Sequence, residues 1–200
     1  MNRKGRSRKE KAGSFRSEVR KAFDYIKKSR DYIYFIIGVF ALGALIGFFF
    51  PDGFRFFDEP LKMLAEKVKD MNTFELIRFI FINNATSALF GLVLGFLLGI
   101  LPFFSALLNG IVLGYVLNGV KVSNGYHEFW RILPHGIFEL PAIFISLGLG
   151  LRLGMLVFSK NKKETLRGEL WGSIKAYLLI VIPLLVIAAI IEGLLIVCYR

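Results

Sequence analysis

No charged residue falls between Arg78 and Lys121, so positions 79–120 form a run of 42 residues without a full charge. One helix crosses the roughly 30 Å hydrocarbon of a bilayer with about 20 residues at ~1.5 Å rise each, so this run holds enough chain to cross twice. Dividing it at Pro102 gives two candidate spans, Arg78–Leu101 and Phe103–Val120. Three further stretches have the same apolar character: Tyr32–Phe50, Ile132–Phe158 and Ser173–Cys198. None shows the two-residue alternation of a barrel strand, and Leu, Phe, Ile and Gly dominate. With 55% hydrophobic residues in a chain of 200, a soluble core could not cover the apolar surface. The expected fold class is all-α: a polytopic transmembrane bundle of about five spanning helices plus short amphipathic interfacial helices.

The formal net charge of +11 would suggest nucleic acid if it were spread evenly, but it is not. Residues 1–31 carry twelve Lys/Arg against four acids and residues 152–175 carry six against two, whereas 51–78 holds five against six. Basic residues gather at the cytoplasmic ends of spans. Five helices with the N-terminus inside place 1–31 and 159–172 in the cytoplasm and 51–77, 121–131 and the C-terminus outside. The excess therefore reads as an orientation signal with attraction to anionic lipid, in a multi-pass protein of the cell membrane, and nucleic acid is not an expected partner. The first apolar segment is followed by Pro51-Asp52-Gly53 rather than a small-residue cleavage site, so it is expected to remain as an anchor. Cys198 stands alone and cannot form an internal disulfide.

Two domains are expected: a basic cytoplasmic segment, 1–30, and a transmembrane domain, 31–200. Residues 1–13 are polar and read as disordered. From Ser14, Phe15, Val19, Phe23 and Ile26 recur at helical spacing among Lys and Arg, which predicts a basic amphipathic helix on the inner leaflet or against a cytosolic partner. Outside, Asp58-Glu59-Pro60 reads as a helix start. Phe57, Leu61, Leu64, Val68 and Met71 then give an amphipathic helix over about 57–72, suited to the outer leaflet or a partner's groove.

Polar residues inside the spans are the candidate functional groups, because ionisable side chains in hydrocarbon cost roughly 3 kcal/mol or more. His135 and Glu139 share a face at i and i+4. Arg78, Asn83, Asn84, Arg152 and Glu192 complete a candidate polar cluster, in which Glu139 could pair with Arg78 and Arg152 with Glu192. Pro134, Gly136 and Pro141 are expected to kink or break this segment and free its carbonyls. Gly91, Gly95 and Gly99 form a flat ridge in the second span, and Gly110 with Gly114 repeats the spacing in the third; both read first as packing surfaces and secondarily as dimer contacts. A tight hairpin at Pro102 joins these two spans, with a pair of re-entrant half-helices as the alternative. The motifs of phosphate loops and serine hydrolases are absent, and His-x3-Glu alone is too few ligands for zinc. No metal, cofactor or catalytic residue is expected.

Asn83-Asn84, the apolar stretch to Asn109-Gly110, the Pro-His-Gly-x-x-Glu-x-Pro run at 134–141, and Gly148-Leu149-Gly150-Leu151-Arg152-Leu153-Gly154 resemble the stage II sporulation protein M family. The resemblance covers roughly residues 30–200. It implies a polytopic membrane protein; the family's namesake assembles with two cell-wall hydrolases during engulfment in spore-forming bacteria. Relatives also occur in organisms that form no spores, archaea without peptidoglycan among them. The family's motif residues fall on Asn83, Asn84, His135, Glu139 and Arg152, and the resemblance implies no catalytic role for them.

The functional expectation is a non-enzymatic scaffold or assembly partner in a membrane complex, working as a homodimer through its external helix, inner-leaflet helix and glycine-lined faces, with further membrane or extracytoplasmic proteins as partners. The alternative is a transporter or channel for an ion or small solute, lined by His135, Glu139, Asn83 and Asn84. A pathway requires these groups to face a continuous watery cavity; a scaffold requires them to meet other protein.

Overall fold

The computed structural model describes residues 3–96, 99–124, 133–156 and 162–198, with side chains described for 14–95, 99–122, 136–156 and 166–198. Every element among them is helical: α1 (Arg3–Lys28), α2 (Arg30–Phe49), α3 (Asp58–Lys69), α4 (Thr73–Val93), α5 (Ile100–Asn124), α6 (Leu133–Met155), α7 (Lys162–Ala176) and α8 (Ile182–Cys198). Five helical stretches among the described residues are long and apolar enough to cross a membrane: Arg30–Phe49, Thr73–Val93, Ile100–Val122, Gly136–Met155 and Leu166–Cys198. The last is longer than its apolar run because α7 passes into α8 through a π-helical turn, Tyr177–Val181, without a break.

Local chemistry sets the helix ends. Asn72 caps α4 in a reciprocal box: its Oδ1 accepts from the Glu75 amide at 3.0 Å, and Glu75 Oε2 accepts from the Asn72 amide at 3.0 Å. Two N–H groups with no helical acceptor are thereby satisfied. At the far end of α4 the chain turns through Leu94–Phe96 to Gly99, whose φ of +71° suits a residue without a side chain. The turn thus precedes Pro102, which is buried in the first turn of α5 where its missing N–H costs nothing. Helix α1 starts at Arg3, ahead of Ser14, since Lys, Arg, Glu and Ala in this stretch are good helix formers.

The expected break at Pro134, Gly136 and Pro141 is not present: α6 is continuous from Leu133 to Met155. Pro134 lies in the first turn, where no intrahelical bond is lost, and Pro141 removes one bond, to the carbonyl of Ile137. Contacts with α2, α4, α5 and α8 hold the helix through that gap.

Helix α6 is the centre of the bundle, and α2, α4, α5 and α8 surround it. The closest approaches use glycine. A methyl group added at Gly47 would collide with the Ile111 carbonyl, and one at Gly114 with that of Ala44, so α2 and α5 touch backbone to backbone. In the same way Gly91 and Gly95 of the α4 strip meet Gly150 and Gly154 of α6. Small residues let helix backbones come close where lipid supplies no hydrophobic drive for association. Larger side chains fill the rest, among them Ile36, Leu76, Leu147, Leu149, Leu153 and Leu185, all nearly without exposure. The outward faces of the spans carry Leu42, Leu45, Phe49, Phe90 and Ile187, as a hydrocarbon solvent permits.

Candidate functional site

Three polar constellations stand where the sequence suggested one. The first lies at the end of the bundle that carries α1 and α7. Arg152 points its guanidinium fork at two elements, with Nη2 donating to Glu169 Oε1 at 2.7 Å and Nη1 to Ser29 Oγ at 2.8 Å. Ser29 Oγ in turn donates to the Tyr25 carbonyl at 2.9 Å. The Tyr25 hydroxyl donates to Glu169 Oε2 at 2.7 Å and lies 3.0 Å from Ser173 Oγ. The guanidinium also sits 4.8 Å from the Tyr25 ring centroid. Two turns back along α1, Glu18 pairs with Lys175 and with Lys21, the latter at 2.6 Å. Because Glu18 meets Lys175 while Tyr25 meets Glu169, α1 and α7 run in opposite senses where they touch. Gly172 brings the α7 backbone against the Tyr25 ring, and Ala22 is buried between the helices and the start of the last span.

The electrostatics agree with this geometry. Burial, above all, pushes the Tyr25 phenol well above its ordinary value, and donation to the Glu169 carboxylate adds to the effect, so it stays a neutral donor. Hydrogen bonds from Lys175 and then Lys21 hold the Glu18 carboxyl down, at about 2.

The pairing of Arg152 with Glu192 is therefore corrected. Arg152 sits at the α1 end and Glu192 near the opposite end of α8, with almost the whole bundle between them. Glu169 was legible in principle, because the topology read from charge places it on the same side as Arg152. Tyr25, Ser29 and Ser173 carried no signal of their own; an uncharged polar residue near a helix end is common.

The second constellation is Glu139 of α6 with Glu192 of α8. Both are half-buried, on helices that pack against each other. On its other side Glu139 borders a mostly apolar groove of about 580 Å³ between α5 and α6, which also contains Asn109. Asn109 satisfies part of its amide on its own helix, donating to the Ser105 carbonyl at 2.7 Å. The backbone of His135 belongs to α6, but its side chain, like His127, Glu128 and Trp130, lies outside the described residues.

The third is the outer face of α4. Arg78 does not pair with Glu139; it is exposed and lines an open groove with Glu75, Asn83, Thr86 and Ser87. Asn83 donates to Asn84 Oδ1 at a long 3.4 Å. Polar bonds between spans are instead made by residues the sequence reading passed over: Ser146 Oγ to the Ala88 carbonyl at 2.6 Å, Tyr177 to the Ala85 carbonyl at 2.7 Å, and Asn118 to the Phe48 carbonyl at 2.9 Å.

The sequence pattern described as Stage II sporulation protein M matches residues 36–195, the whole helical core set out above. The chain belongs to the stage II sporulation protein M family. It is also 33% identical over 124 residues to a Methanocaldococcus jannaschii protein known as "Uncharacterized protein MJ0706". That alignment takes in 59% of this chain and 54% of the other, so the chain spans about half the length of the relative it matches. No solved structure matches.

Within the matched sporulation protein M region lie Arg152, Glu169, Ser173, Glu139, Glu192 and the α4 stripe, while Tyr25 and Ser29 lie before it. The latch thus ties the N-terminal helix to the family core. Chemically, the α4 stripe offers donors and acceptors to whatever lies beside it.

Proposed function

We propose that this membrane protein is a non-enzymatic scaffold that assembles with other proteins through faces its own fold leaves uncovered. The supporting observation is the direction of the polar stripe on α4: Arg78, Asn83, Thr86 and Ser87 point away from the bundle, where lipid would leave their polar atoms unsatisfied. Of the surfaces named as contact candidates, the glycine ridges are occupied by α2–α5 and α4–α6 packing, and one face of α1 is occupied by α7. The α4 stripe and the exposed amphipathic helix α3 are left. The family's namesake gives the same reading by resemblance. The charge distribution further supports a cell-membrane protein with the α1 and α7 end in the cytoplasm.

The experiment is in-membrane photocrosslinking from Thr86 and from Met63 of α3, which is 67% exposed, followed by purification. A protein product of fixed stoichiometry at either position supports the scaffold; lipid adducts alone at both oppose it. A transporter reading is favoured by one observation, the half-buried Glu139 at the edge of the α5–α6 groove that also holds Asn109. Proteoliposome proton or cation flux that Glu139→Gln abolishes, with assembly intact, would establish that reading and displace the scaffold as the sole role.

A further inference from the structure

One side of helix α4 is buried in the bundle and the other is open. Leu76, Ile80, Ala88 and Leu92 turn inward and are buried. On the open side Glu75, Asn83 and Thr86, set among Phe79, Ile82 and Phe90, line a groove of about 560 Å³, with Arg78 and Ser87 at its flanks. Asn83 and Thr86 follow the charged Arg78 by five and eight residues, about 8 and 12 Å along the helix axis. The one side-chain hydrogen bond of Asn83 among the described residues is the 3.4 Å contact with Asn84, and Thr86 and Ser87 have none there. Groups able to donate and accept, facing out from an apolar span, call for a partner with the same abilities.

We propose that a second copy of this chain covers the stripe, α4 against α4 about a two-fold axis along the membrane normal. The inference rests on the scaffold reading and names its partner. Such an axis brings each residue opposite itself at the same depth. A carboxamide carries both a donor and an acceptor, so Asn83 is complementary to Asn83, and the hydroxyl of Thr86 is complementary to itself in the same way. Charge agrees. Glu75 and Arg78 are one turn apart with opposite sign, so a parallel pair sets each guanidinium beside the facing carboxylate, twice by symmetry. Glu75 spends Oε2 on the Asn72 cap and keeps Oε1 for this contact. Asn109 of α5 is also an exposed carboxamide, but it already donates to the Ser105 carbonyl of its own helix.

The test uses full-length protein in its membrane, with Cys198→Ser as the background and one new cysteine at a time. Oxidation of Thr86→Cys gives a disulfide-linked product of twice the mass, whereas Leu45→Cys, on the outward face of α2, does not. In liposomes, the dimer dissociation constant read by single-molecule photobleaching rises about 3- to 20-fold for Asn83→Leu, the range of measured interhelical hydrogen bonds in membranes, and returns toward wild type for Asn83→Gln. A chain that stays monomeric in liposomes at every density, or crosslinks at Leu45→Cys in preference to Thr86→Cys, overturns the proposal. A Thr86→Cys product containing a different protein, with the chain itself monomeric, also overturns it while leaving the scaffold reading intact. Loss of ion flux in Glu139→Gln with the Thr86→Cys dimer retained has the reverse meaning: it strikes the scaffold-only reading and leaves the self-pairing standing.

Discussion

Arg152 takes three partners, Tyr25 of α1, Ser29 at the α1–α2 junction and Glu169 of α7, and its value is in the fork rather than the charge. Replacing it with Ala strands the Glu169 carboxylate, whose side chain is 20% exposed, and frees α1 from α6. The expected cost is about 3 kcal/mol, the low edge for breaking a buried pair, because some water reaches the site. Unfolding by SDS titration measures it. Arg152→Lys keeps the charge but reaches one partner at a time, and should recover only part of the loss. Glu18 makes a pH-dependent contribution at the same end. Its folded carboxyl is held down, at about 2 against an ordinary 4.5, so its support of the α1–α7 contact is complete above pH 4.5 and is lost as pH falls toward 2. Hydrogen exchange in α1 should accelerate across that window in wild type, and Glu18→Gln should exchange fast throughout.

Helix pairs depend on backbone proximity, which makes individual glycines unequal. Gly114 faces the Ala44 carbonyl, while a side chain at Gly38 would meet nothing within 4 Å. Gly114→Leu should push α2 and α5 apart and cost at least the 1–3 kcal/mol typical of overpacking. Gly38→Ala should be neutral, or stabilise by up to about 1 kcal/mol through helix propensity. Thermal unfolding in the same detergent compares the two. The contrast also explains what a sequence can disclose at this level. The spans and the external helix were legible, since about 20 apolar residues in a row leave few alternatives. Which face of a span turns inward was not, because lipid is as apolar as a protein core and the usual amphipathic signal vanishes. For that reason Arg78 and Asn83 read as members of an interior cluster with Glu139, although α4 turns them outward. Pro141 read as a break for a related reason: the neighbours that hold α6 together are distant in the chain.

The whole molecule has two dissimilar ends, one with the α1–α7 latch and the other with α3, and its single cysteine belongs to the second. Cys198 is exposed, so an impermeant maleimide applied to intact cells should label it if the latch end is cytoplasmic. Labelling only after lysis would reverse the proposed orientation. The order of helices along the chain carries a further consequence. The hub of the bundle, α6, is the fourth span to be made, and α4 gains its main support from α6 and α8. By contrast α2 and α5 match each other directly, through close glycine contacts and the Asn118–Phe48 hydrogen bond. During synthesis an early α2–α5 pair can therefore form while α4 still waits in lipid. The bundle closes only after residue 155 has left the ribosome and α6 has slotted between partners already inserted.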